Sequence, residues 1–339
     1  MTVGGSAAPI VVDMDEKASI EKPRITALAP WFGGKRTLAP AIVQELGPHT
    51  QYFEPFCGAM SVLFAKPPSQ KETVNDLHGD LVNLARVVQE EAVAARLYDR
   101  LQRVLVCEAL LEDARARLQS PPEDPLERAY WYFLASWAGR GGTAGTERLD
   151  YQIAVRWTCR GGSPTVRWQN AVESLPAWHR RLRGVVILCR DAFEILDRFE
   201  DAPETAIYAD PPYAPETRTG APGSKAGGSG RYLHEFNHRP QDLLGSPDDH
   251  GRLRDLLAAY RRARIVVSAY DCPRYRDLYA GWTFVEHYRL KSLHAQNVRG
   301  QTSLGRGDPH AEGPEVLILN GPSLVAAEQP VVLEGPNDA

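Results

Sequence analysis

The sequence predicts an α/β fold, with a doubly wound and mostly parallel sheet. Two short apolar runs, residues 185–189 and 207–209, are typical of strands that are buried on both sides. Residues 52–64 give a third signal, a strand that enters a glycine turn and then a helix. Because strand and helix patterns alternate along the chain, we expect helical connections between parallel strands.

The composition is that of an ordinary soluble globular protein. Of the 339 residues, 43% are hydrophobic and 24% are charged, and the formal net charge is −4. The five cysteines are widely spaced without a C-x-x-C pair, which argues against a disulfide framework and against a zinc site. No run approaches the ~18 apolar residues of a membrane span, and no secretory signal begins the chain. We therefore expect a cytoplasmic protein with reduced thiols, no metal and no membrane partner.

The first ordered segment is expected to follow a loose tail, because residues 1–24 are small, polar and acidic without a period. Gly33 and Gly34 then form a turn before apolar residues at helical spacing, and Lys35 follows the turn. A glycine pair lets the backbone approach a ligand closely, and the lysine adds a cation in the first helical turn. Taken alone, the pattern is more commonly an ordinary turn.

Residues 52–64 have the order of strand, turn and helix that a Rossmann-like nucleoside pocket requires. Gly58 stands where the chain must come close to a ligand, but the complete G-x-G-x-x-G of dinucleotide sites is absent. After a short strand at residues 71–74, Asp76 follows the turn by about 20 residues, where an acid accepts hydrogen bonds from ribose hydroxyls. Asp80 is expected to be the N-cap of the next helix.

The middle of the chain carries a basic and aromatic segment. A helical pattern ends near residue 118 at a proline cluster, which marks a boundary. From Arg128 to Arg190 there are ten arginines, no lysine and three acids, with five of the seven tryptophans. Arginines interleaved with aromatic rings around glycine turns suit phosphate contact and base stacking. The competing interpretation is a plain helical core that contains Trp131, Tyr132, Leu134 and Ala135.

The strand at residues 207–209 ends at Asp210, Pro211, Pro212 and Tyr213. Two prolines fix φ and cannot donate to a sheet, so the chain turns at the carboxyl end of the strand, where open α/β sheets bind ligands. Asp210 and the Pro211 carbonyl supply two acceptors for one amino group, and Tyr213 supplies a ring for stacking. Two acceptors on one NH2 direct its lone pair, as attack on an electrophilic carbon requires.

From residue 185 onward, strand and helix patterns continue to alternate. The run at residues 185–189 leads to Asp191 and an expected helix that includes Leu196, and Asp191 is equally well interpreted as the N-cap of that helix. Residues 219–230 have the composition of a mobile loop, which suits a lid over the site. The remaining pattern predicts a helix after Asp249, strands at residues 265–268, 283–286 and 316–320, and a polar connection at residues 291–314.

In this order the motifs resemble those of the Dam-like adenine-N6 group of DNA amino-methyltransferases. Residues 31–35, Trp-Phe-Gly-Gly-Lys, are similar to the Trp-x-Gly-Gly-Lys element of that group, and Asp-Pro-Pro-Tyr at residues 210–213 is similar to its catalytic motif. Residues 56–60 resemble the cofactor loop F-x-G-x-G, except that Met60 stands where the family often has its second glycine. The resemblance covers about residues 30–90 and 185–320.

The resemblance implies S-adenosylmethionine as the methyl donor, S-adenosylhomocysteine as the product and double-stranded DNA as the partner. It also implies a Rossmann-like methyltransferase sheet with a reversed last strand and an inserted, mainly helical target-recognition subdomain. The implied catalytic residues are Asp210, Pro211, Pro212 and Tyr213. The implied cofactor-binding residues are Trp31, Lys35, Glu54, Phe56, Gly58, Asp76, Asp191, Phe193 and Asp210. The predicted DNA-binding residues are Arg140, Arg156, Arg160 and Arg167.

The predicted organisation follows from these motifs. It comprises a loose tail at residues 1–24, a cofactor-binding half at 25–118, an inserted DNA target-recognition subdomain at 119–184, a catalytic half at 185–320 and a C-terminal tail at 321–339. The predicted reaction is site-specific methyl transfer to the N6 amino group of an adenine flipped out of the duplex. Alternatives are a cytosine-N4 or protein-glutamine amino-methyltransferase, which more often carries Ser or Asn in place of Asp210, and an inactive DNA-binding module, which Met60 motivates.

Overall fold

The computed structural model describes residues 23–139, 153, 155, 162–213, 234, 248–290 and 312–325. In this part of the chain, seven strands form one sheet in the order β3-β2-β1-β4-β5-β7-β6. The strands are β1 Gln51–Glu54, β2 Lys71–Asn75, β3 Val185–Leu188, β4 Thr205–Ala209, β5 Arg264–Tyr270, β6 Thr283–Leu290 and β7 Glu312–Leu319.

All strands but one run in the same direction. Neighbouring strands are parallel from β3 to β5, and only β7, inserted between β5 and β6, is antiparallel. The predicted α/β class with a mostly parallel sheet is therefore confirmed. Strand order reverses between β1 and β4, because β1 leads to β2 on one side and β4 leads to β5 on the other. This reversal is the topological switch point, where open α/β sheets bind ligands beyond the carboxyl ends of the strands.

Helices fill the connections between the strands. They are α1 Ala39–Leu46, α2 Ser61–Ala65, α3 Gly79–Gln89, α4 Glu91–Gln102, α5 Glu108–Gln119, α6 Pro125–Ala138, α7 Pro164–Leu182, α8 Asp249–Ala258 and α9 Pro273–Leu278, with a short 3₁₀ turn at Ala192–Glu194. The connection from β2 to β3 holds α3 through α7, which we call the middle helices.

Two hydrophobic clusters cover the two faces of the sheet, because successive side chains of a strand point to opposite sides. On β4, Ala206 and Tyr208 pack in the cluster that contains the buried residues of α3 to α7. Ile207 and Ala209 pack in the other cluster, against Leu253 of α8. The short apolar run in the sequence is continuous because both faces of β4 are covered.

The middle helices form an aromatic core that joins the chain before β1 to the sheet. Trp137 and Trp178 are fully buried, and their indole Nε1 groups donate to the carbonyls of Leu28, at 3.0 Å, and Ile25, at 2.7 Å. The competing interpretation of α6 as core is confirmed, because all four of its proposed residues are buried: Trp131, Tyr132, Leu134 and Ala135. Buried tryptophans usually find an acceptor for the indole N–H, as these two do.

Two local predictions are wrong. The expected helix after Asp191 is only a 3₁₀ turn at Ala192–Glu194, since the chain folds inward so that Phe199 stacks on Phe53 with ring centroids 3.9 Å apart. The N-cap of α3 is His78, whose Nδ1 accepts from the Leu81 amide at 3.2 Å, and not Asp80. Asp80 lies in the first turn of α3, where its carboxylate pairs with Arg128 of α6 at 2.6 Å.

The last two strands are longer than the sequence predicts. They pair with each other over their whole length, from Thr283 opposite Leu319 to Leu290 opposite Glu312. The first residues of the predicted C-terminal tail are also fixed to the body, because the Leu324 amide donates to the buried Glu45 carboxylate at 2.9 Å. The proposed lid at residues 219–230 and most of the connection at residues 291–314 lie outside the described residues.

Candidate active site

A cavity of about 360 Å³ lies at the carboxyl ends of β1 and β4, at the switch point of the sheet. Residues that the sequence predicted as cofactor contacts line it together: Trp31, Lys35, Glu54, Phe56, Gly58, Asp76, Asp191, Phe193 and Asp210. Pro212 lines it as well. Segments far apart in the sequence therefore meet in one site.

The polar side chains of the site project from one face of the sheet. Glu54 has the same strand parity as Tyr52, and Asp210 has the same parity as Tyr208, so both carboxylates point toward the cluster that holds the middle helices. On β7, Glu315 has the same parity as Leu317 of that cluster. Because β7 is antiparallel, its beginning lies at the same edge as the carboxyl ends of β1 and β4.

The glycine turn after β1 allows close packing against Trp31. Gly58 has φ +45°, and a Cβ at this position would meet Trp31 Nε1 at 2.8 Å, so a larger residue would displace the indole. Met60 also has a positive φ, of 62°, although it is not glycine. Its side chain is fully buried in the core beside α2 and is not among the described residues that line the cavity.

Asp76 fixes the turns on both sides of it. Its carboxylate accepts from the Gly58 amide at 2.8 Å and from the His78 amide at 2.9 Å. The carboxylate also lines the cavity, so one residue shapes the glycine turn and presents oxygens to a ligand. Its predicted contact with ribose hydroxyls stays a prediction.

Asn75, at the end of β2, ties neighbouring strand ends together. Its Nδ2 donates to the Pro55 carbonyl at 3.0 Å and to the Arg190 carbonyl at 2.9 Å, and its Oδ1 accepts from the Arg190 amide at 3.0 Å. These bonds hold the loops after β1 and β3 at fixed positions relative to β2. Sequence reasoning missed this residue, because its partners lie in other loops.

Asp210 is held at both carboxylate oxygens. Lys35 Nζ lies 2.9 Å from Oδ2, and the Ser268 hydroxyl donates to Oδ1 at 2.8 Å. Lys35 is buried, with 5% of its side chain exposed, whereas Asp210 retains 20% exposure toward the cavity. Burial raises the pKa of Asp210 above its usual range, and the contacts with Lys35 and Ser268 oppose that rise.

Tyr213 is packed behind the cavity. Its hydroxyl donates to Glu315 at 3.0 Å, its ring lies edge to face with Tyr270, and Lys35 Nζ is 4.9 Å from its ring centroid. Lys35 Nζ is also 3.4 Å from Glu315. Lys35, Glu315 and Tyr213 thus support the turn that follows Asp210, and the stacking of Tyr213 on a base stays a prediction.

The cavity is rich in acids. Its described lining includes five carboxylates, from Glu54, Asp76, Asp191, Asp210 and Asp249, against the cationic side chains of Lys35 and Arg190. Burial raises the pKa of Glu54 to about 8, although the Tyr52 hydroxyl donates to its carboxylate at 2.9 Å. Burial likewise lowers the pKa of His78, which also lines the cavity. Even with Glu54 protonated, the other four acids outnumber the two cationic side chains, which favours a ligand that brings positive charge.

Asp191 and Phe193 lie at the far side of the cavity. Asp191 caps the 3₁₀ turn, where its carboxylate accepts from the Phe193 amide at 3.0 Å. The Phe193 ring is packed under the Arg252 guanidinium, 4.5 Å from the ring centroid. Both residues also line the cavity, so the N-cap interpretation of Asp191 and its predicted ligand contact are compatible.

The predicted DNA-binding arginines are not brought together in the described part of the chain. Arg140, Arg156 and Arg160 lie outside the described residues. The Arg167 guanidinium donates to the carbonyls of Trp137, at 3.0 Å, and Gly139, at 2.5 Å. Arg167 therefore satisfies carbonyls at the end of α6, and its DNA contact stays a prediction.

Sequence reasoning missed the residues that support the predicted ones. These are Asn75, His78, Tyr208, Ser268 and Glu315. Ser268 was recognised only as the end of a strand, and Glu315 was placed just before one. Their roles depend on strand register, which brings residues from distant segments side by side.

The described residues contain neither a metal-ligand cluster nor a membrane-spanning helix. Across the described ranges, no group of three or more His, Cys, Asp or Glu side chains is arranged to hold a metal ion. No helix in that same part of the chain is long and apolar enough to cross a membrane.

Comparison with known proteins gives consistent matches. Residues 31–152 match the family model described as D12 class N6 adenine-specific DNA methyltransferase. The Type II methyltransferase M.MjaIII of Methanocaldococcus jannaschii is 28% identical over 214 residues, which are 56% of this chain and 69% of that protein. The Type II methyltransferase M1.LlaDCHI of Lactococcus lactis subsp. cremoris is 25% identical over 318 residues, 88% of this chain and 96% of that protein. The DNA adenine methylase of Escherichia coli K12 is 24% identical over 309 residues, 88% of this chain and 97% of that protein.

Proposed function

We propose that the chain is an adenine-specific DNA methyltransferase, which the D12 class match in residues 31–152 and the similarity to DNA adenine methylases support. We propose that it transfers the methyl group of S-adenosylmethionine to the N6 amino group of an adenine flipped out of double-stranded DNA. Flipping is required because an amino group paired inside a duplex cannot reach a donor held in a cavity of the protein.

The residues of the cavity fit S-adenosylmethionine. That molecule carries a sulfonium and an ammonium group, and the described lining holds more acidic than cationic side chains. Trp31 packed on Gly58 gives a flat apolar wall, and Asp76 presents oxygens beside it. When bound, the cofactor supplies an electrophilic methyl group. Glu54 and Asp76 would hold its polar groups, and Asp191 and Phe193 would hold its adenine.

Asp210 and the Pro211 carbonyl orient the substrate amine. The two acceptors take the two N–H bonds, so the nitrogen lone pair is directed away from both of them. Positioning of this kind can supply about 7–11 kcal/mol of barrier lowering. Asp210 also stabilises the positive charge that develops on nitrogen, and the low exposure of Lys35 and Tyr213 around it keeps water from weakening that interaction.

The observation that carries this proposal is the position of Asp210. It is partly exposed at the switch point, in the same cavity as the predicted cofactor contacts, and both of its oxygens are held by buried partners. An aspartate that only ends a strand does not require a buried lysine at one carboxylate oxygen and a buried hydroxyl at the other, as Asp210 has in Lys35 and Ser268.

We expect Asp210→Ala to lower the rate of methyl transfer by about 100- to 1,000-fold or more, because it removes a charge placed at the reacting nitrogen. The measurement is transfer of radiolabelled methyl from S-adenosylmethionine to duplex DNA, followed by digestion and identification of the nucleoside. Asp99→Ala is the control, since Asp99 makes an exposed ion pair with Arg103 on α4. Label in N4-methylcytosine, or an Asp210→Ala rate near that of the parent, would contradict the proposal.

A further inference from the structure

The register between β4 and β5 places a hydroxyl beside the catalytic carboxylate. Tyr208 pairs with Val266 and Ala209 with Val267, so Asp210 and Ser268 are the next residues in line on two parallel neighbours. Both side chains project from the same face, and the Ser268 hydroxyl reaches Asp210 Oδ1 at 2.8 Å. The contact is therefore built into the sheet and does not depend on a loop.

The hydroxyl of Ser268 has a fixed direction. It lies 2.9 Å from the Tyr208 hydroxyl and 2.8 Å from the Asp210 carboxylate. An ionised carboxylate only accepts, so the single Ser268 proton goes to Asp210. The Tyr208 proton then goes to Ser268, and the order of donation is Tyr208, Ser268, Asp210.

These bonds are shielded from water. Ser268 has no exposed surface and Tyr208 is 1% exposed. A charge-assisted hydrogen bond in such surroundings is stronger than one at a surface, because water does not compete for either partner. The pair therefore restrains rotation of the Asp210 carboxylate about its side-chain bond.

We propose that Ser268 is a positioning residue for methyl transfer, with its hydroxyl directed by Tyr208 so that Asp210 keeps Oδ1 toward β5 and presents Oδ2 to the substrate amine. Ser268 touches neither reactant and acts through Asp210. This inference rests on the proposed function, since it assigns Asp210 its role, and nothing in the sequence motif itself includes Ser268.

Lys35 lies at Oδ2 of Asp210, the oxygen that the proposal assigns to the substrate amine. Lys35 Nζ lies 2.9 Å from that oxygen, and Glu315 is its second carboxylate partner at 3.4 Å. The charged and titratable groups around Asp210 are thus Lys35 from the segment before α1, Glu54 from β1, Tyr208 from β4 and Glu315 from β7. Ser268 alone holds the opposite oxygen in the described structure, so its loss frees the carboxylate to turn toward Lys35.

We expect Ser268→Ala to lower the single-turnover rate of methyl transfer by about 10- to 100-fold, the cost of one hydrogen bond to a charged group. The apparent KM for S-adenosylmethionine stays within a few-fold of the parent, because the cofactor contacts are unchanged. Ser268→Thr, which keeps the hydroxyl, recovers most of the rate. Tyr208→Phe gives a smaller loss, since Ser268 can still donate to Asp210.

The control is Ser174→Ala. Ser174 is also fully buried, donates to the Asn170 carbonyl at 2.7 Å and accepts from the Ile25 amide at 3.1 Å, but it lies in α7 away from the cavity. If loss of a buried hydroxyl acts only through stability, Ser174→Ala lowers the rate as much as Ser268→Ala. That result would overturn the inference.

A second readout needs no turnover. The Ser268 hydrogen bond favours the ionised form of Asp210, so Ser268→Ala raises the pKa of that carboxyl. We would follow it by NMR titration of the ligand-free protein labelled with ¹³C at aspartate carboxyls, using Asp210→Asn to assign the signal. An unmoved titration together with a parent-like rate would overturn the inference. Failure of the parent itself to methylate DNA, by contrast, would overturn the proposed function.

Discussion

At the scale of single residues, Met60 shows how the turn after β1 accommodates a residue other than glycine at a positive φ. Met60 adopts the left-handed conformation that a glycine adopts at little cost, and such a conformation costs an ordinary residue about 1–2 kcal/mol. Burial of its side chain in the core beside Val62 and Leu63 offsets part of this free-energy cost. The turn therefore accommodates Met60, whose side chain lies in the core and not among the described residues that line the cavity.

Glu54 makes the stability of the protein depend on pH. Its carboxyl is fully buried, and burial raises its pKa to about 8, so it stays protonated in the folded protein at pH 7. In the unfolded chain the same carboxyl is ionised above its ordinary pKa. The folded state thus binds more protons, and folding stability attributable to Glu54 falls as pH rises through this window, up to pH 8.

We expect Glu54→Gln to flatten this dependence. Glutamine keeps an oxygen that accepts from the Tyr52 hydroxyl but has no proton to titrate. As pH rises, the unfolding free energy of the parent falls by up to ~1.4 kcal/mol per pH unit, whereas that of Glu54→Gln does not. Denaturant unfolding of the ligand-free proteins at pH 6, 7 and 8 measures it. The exposed Glu204→Gln is the control, and equal slopes for the parent and Glu54→Gln would refute the raised pKa.

Among the elements, β2 contributes to the site through its last residue. Asn75 bonds to the loops after β1 and β3, and those loops carry Phe56 and Asp191 of the cavity. Neither loop is held at that point by regular sheet pairing, because each lies past the end of its strand. A side chain with both donors and acceptors is needed to join them.

We expect Asn75→Ala to lower the unfolding free energy by about 1–3 kcal/mol, since it leaves the buried Pro55 carbonyl and the partly buried amide and carbonyl of Arg190 without their bonds to Asn75. Affinity for the cofactor falls as well, because the loops lose their common anchor. Thermal unfolding and calorimetric titration with S-adenosylhomocysteine measure the two effects. Asn83→Ala removes an exposed bond to Pro125 and serves as control. Unchanged affinity in Asn75→Ala would show that the loops hold their positions without it.

The elements also show what the sequence could and could not predict. Periodicity identifies β4, because a short apolar run before two prolines is typical of a buried strand that ends in a turn. It does not identify the 3₁₀ turn after Asp191, where contact between Phe199 and Phe53 outweighs the local helical pattern. It also misses the length of β6 and β7, which is set by their pairing with each other. Ser268 and Glu315 were missed for the same reason, since only the register places them beside Asp210 and Tyr213.

In the whole molecule, α6 and α7 of the predicted recognition insert share a core with α3 to α5 and with the sheet. The buried residues of α3 to α7 share one hydrophobic cluster with sheet residues such as Tyr52 and Val74. Trp137 and Trp178 bind the chain at residues 25–28, which leads directly to Trp31 and Lys35. The domain boundary at residue 119 stays a prediction. These bonds connect α6 and α7 to the segment that carries Trp31 and Lys35.

The charge distribution of the whole molecule separates the acidic cavity from any surface that binds the DNA phosphates. DNA is a polyanion, yet the cavity is acidic and the chain carries a net charge of −4. Acids at the cavity suit a cationic cofactor, whereas phosphates require cations elsewhere. The arginines between residues 128 and 190 are the natural candidates, although Arg167 and Arg181 are engaged within the fold by Trp137 and Glu72.

The most direct measurement is to express the parent protein and Asp210→Ala in a host that lacks adenine methylation and to map modified bases in both genomes. The account predicts N6-methyladenine at one short sequence motif with the parent and none with the variant. N6-methyladenine at the same motif with both proteins would contradict the role of Asp210. No modified adenine with either protein, while both bind S-adenosylhomocysteine, would contradict the proposed reaction.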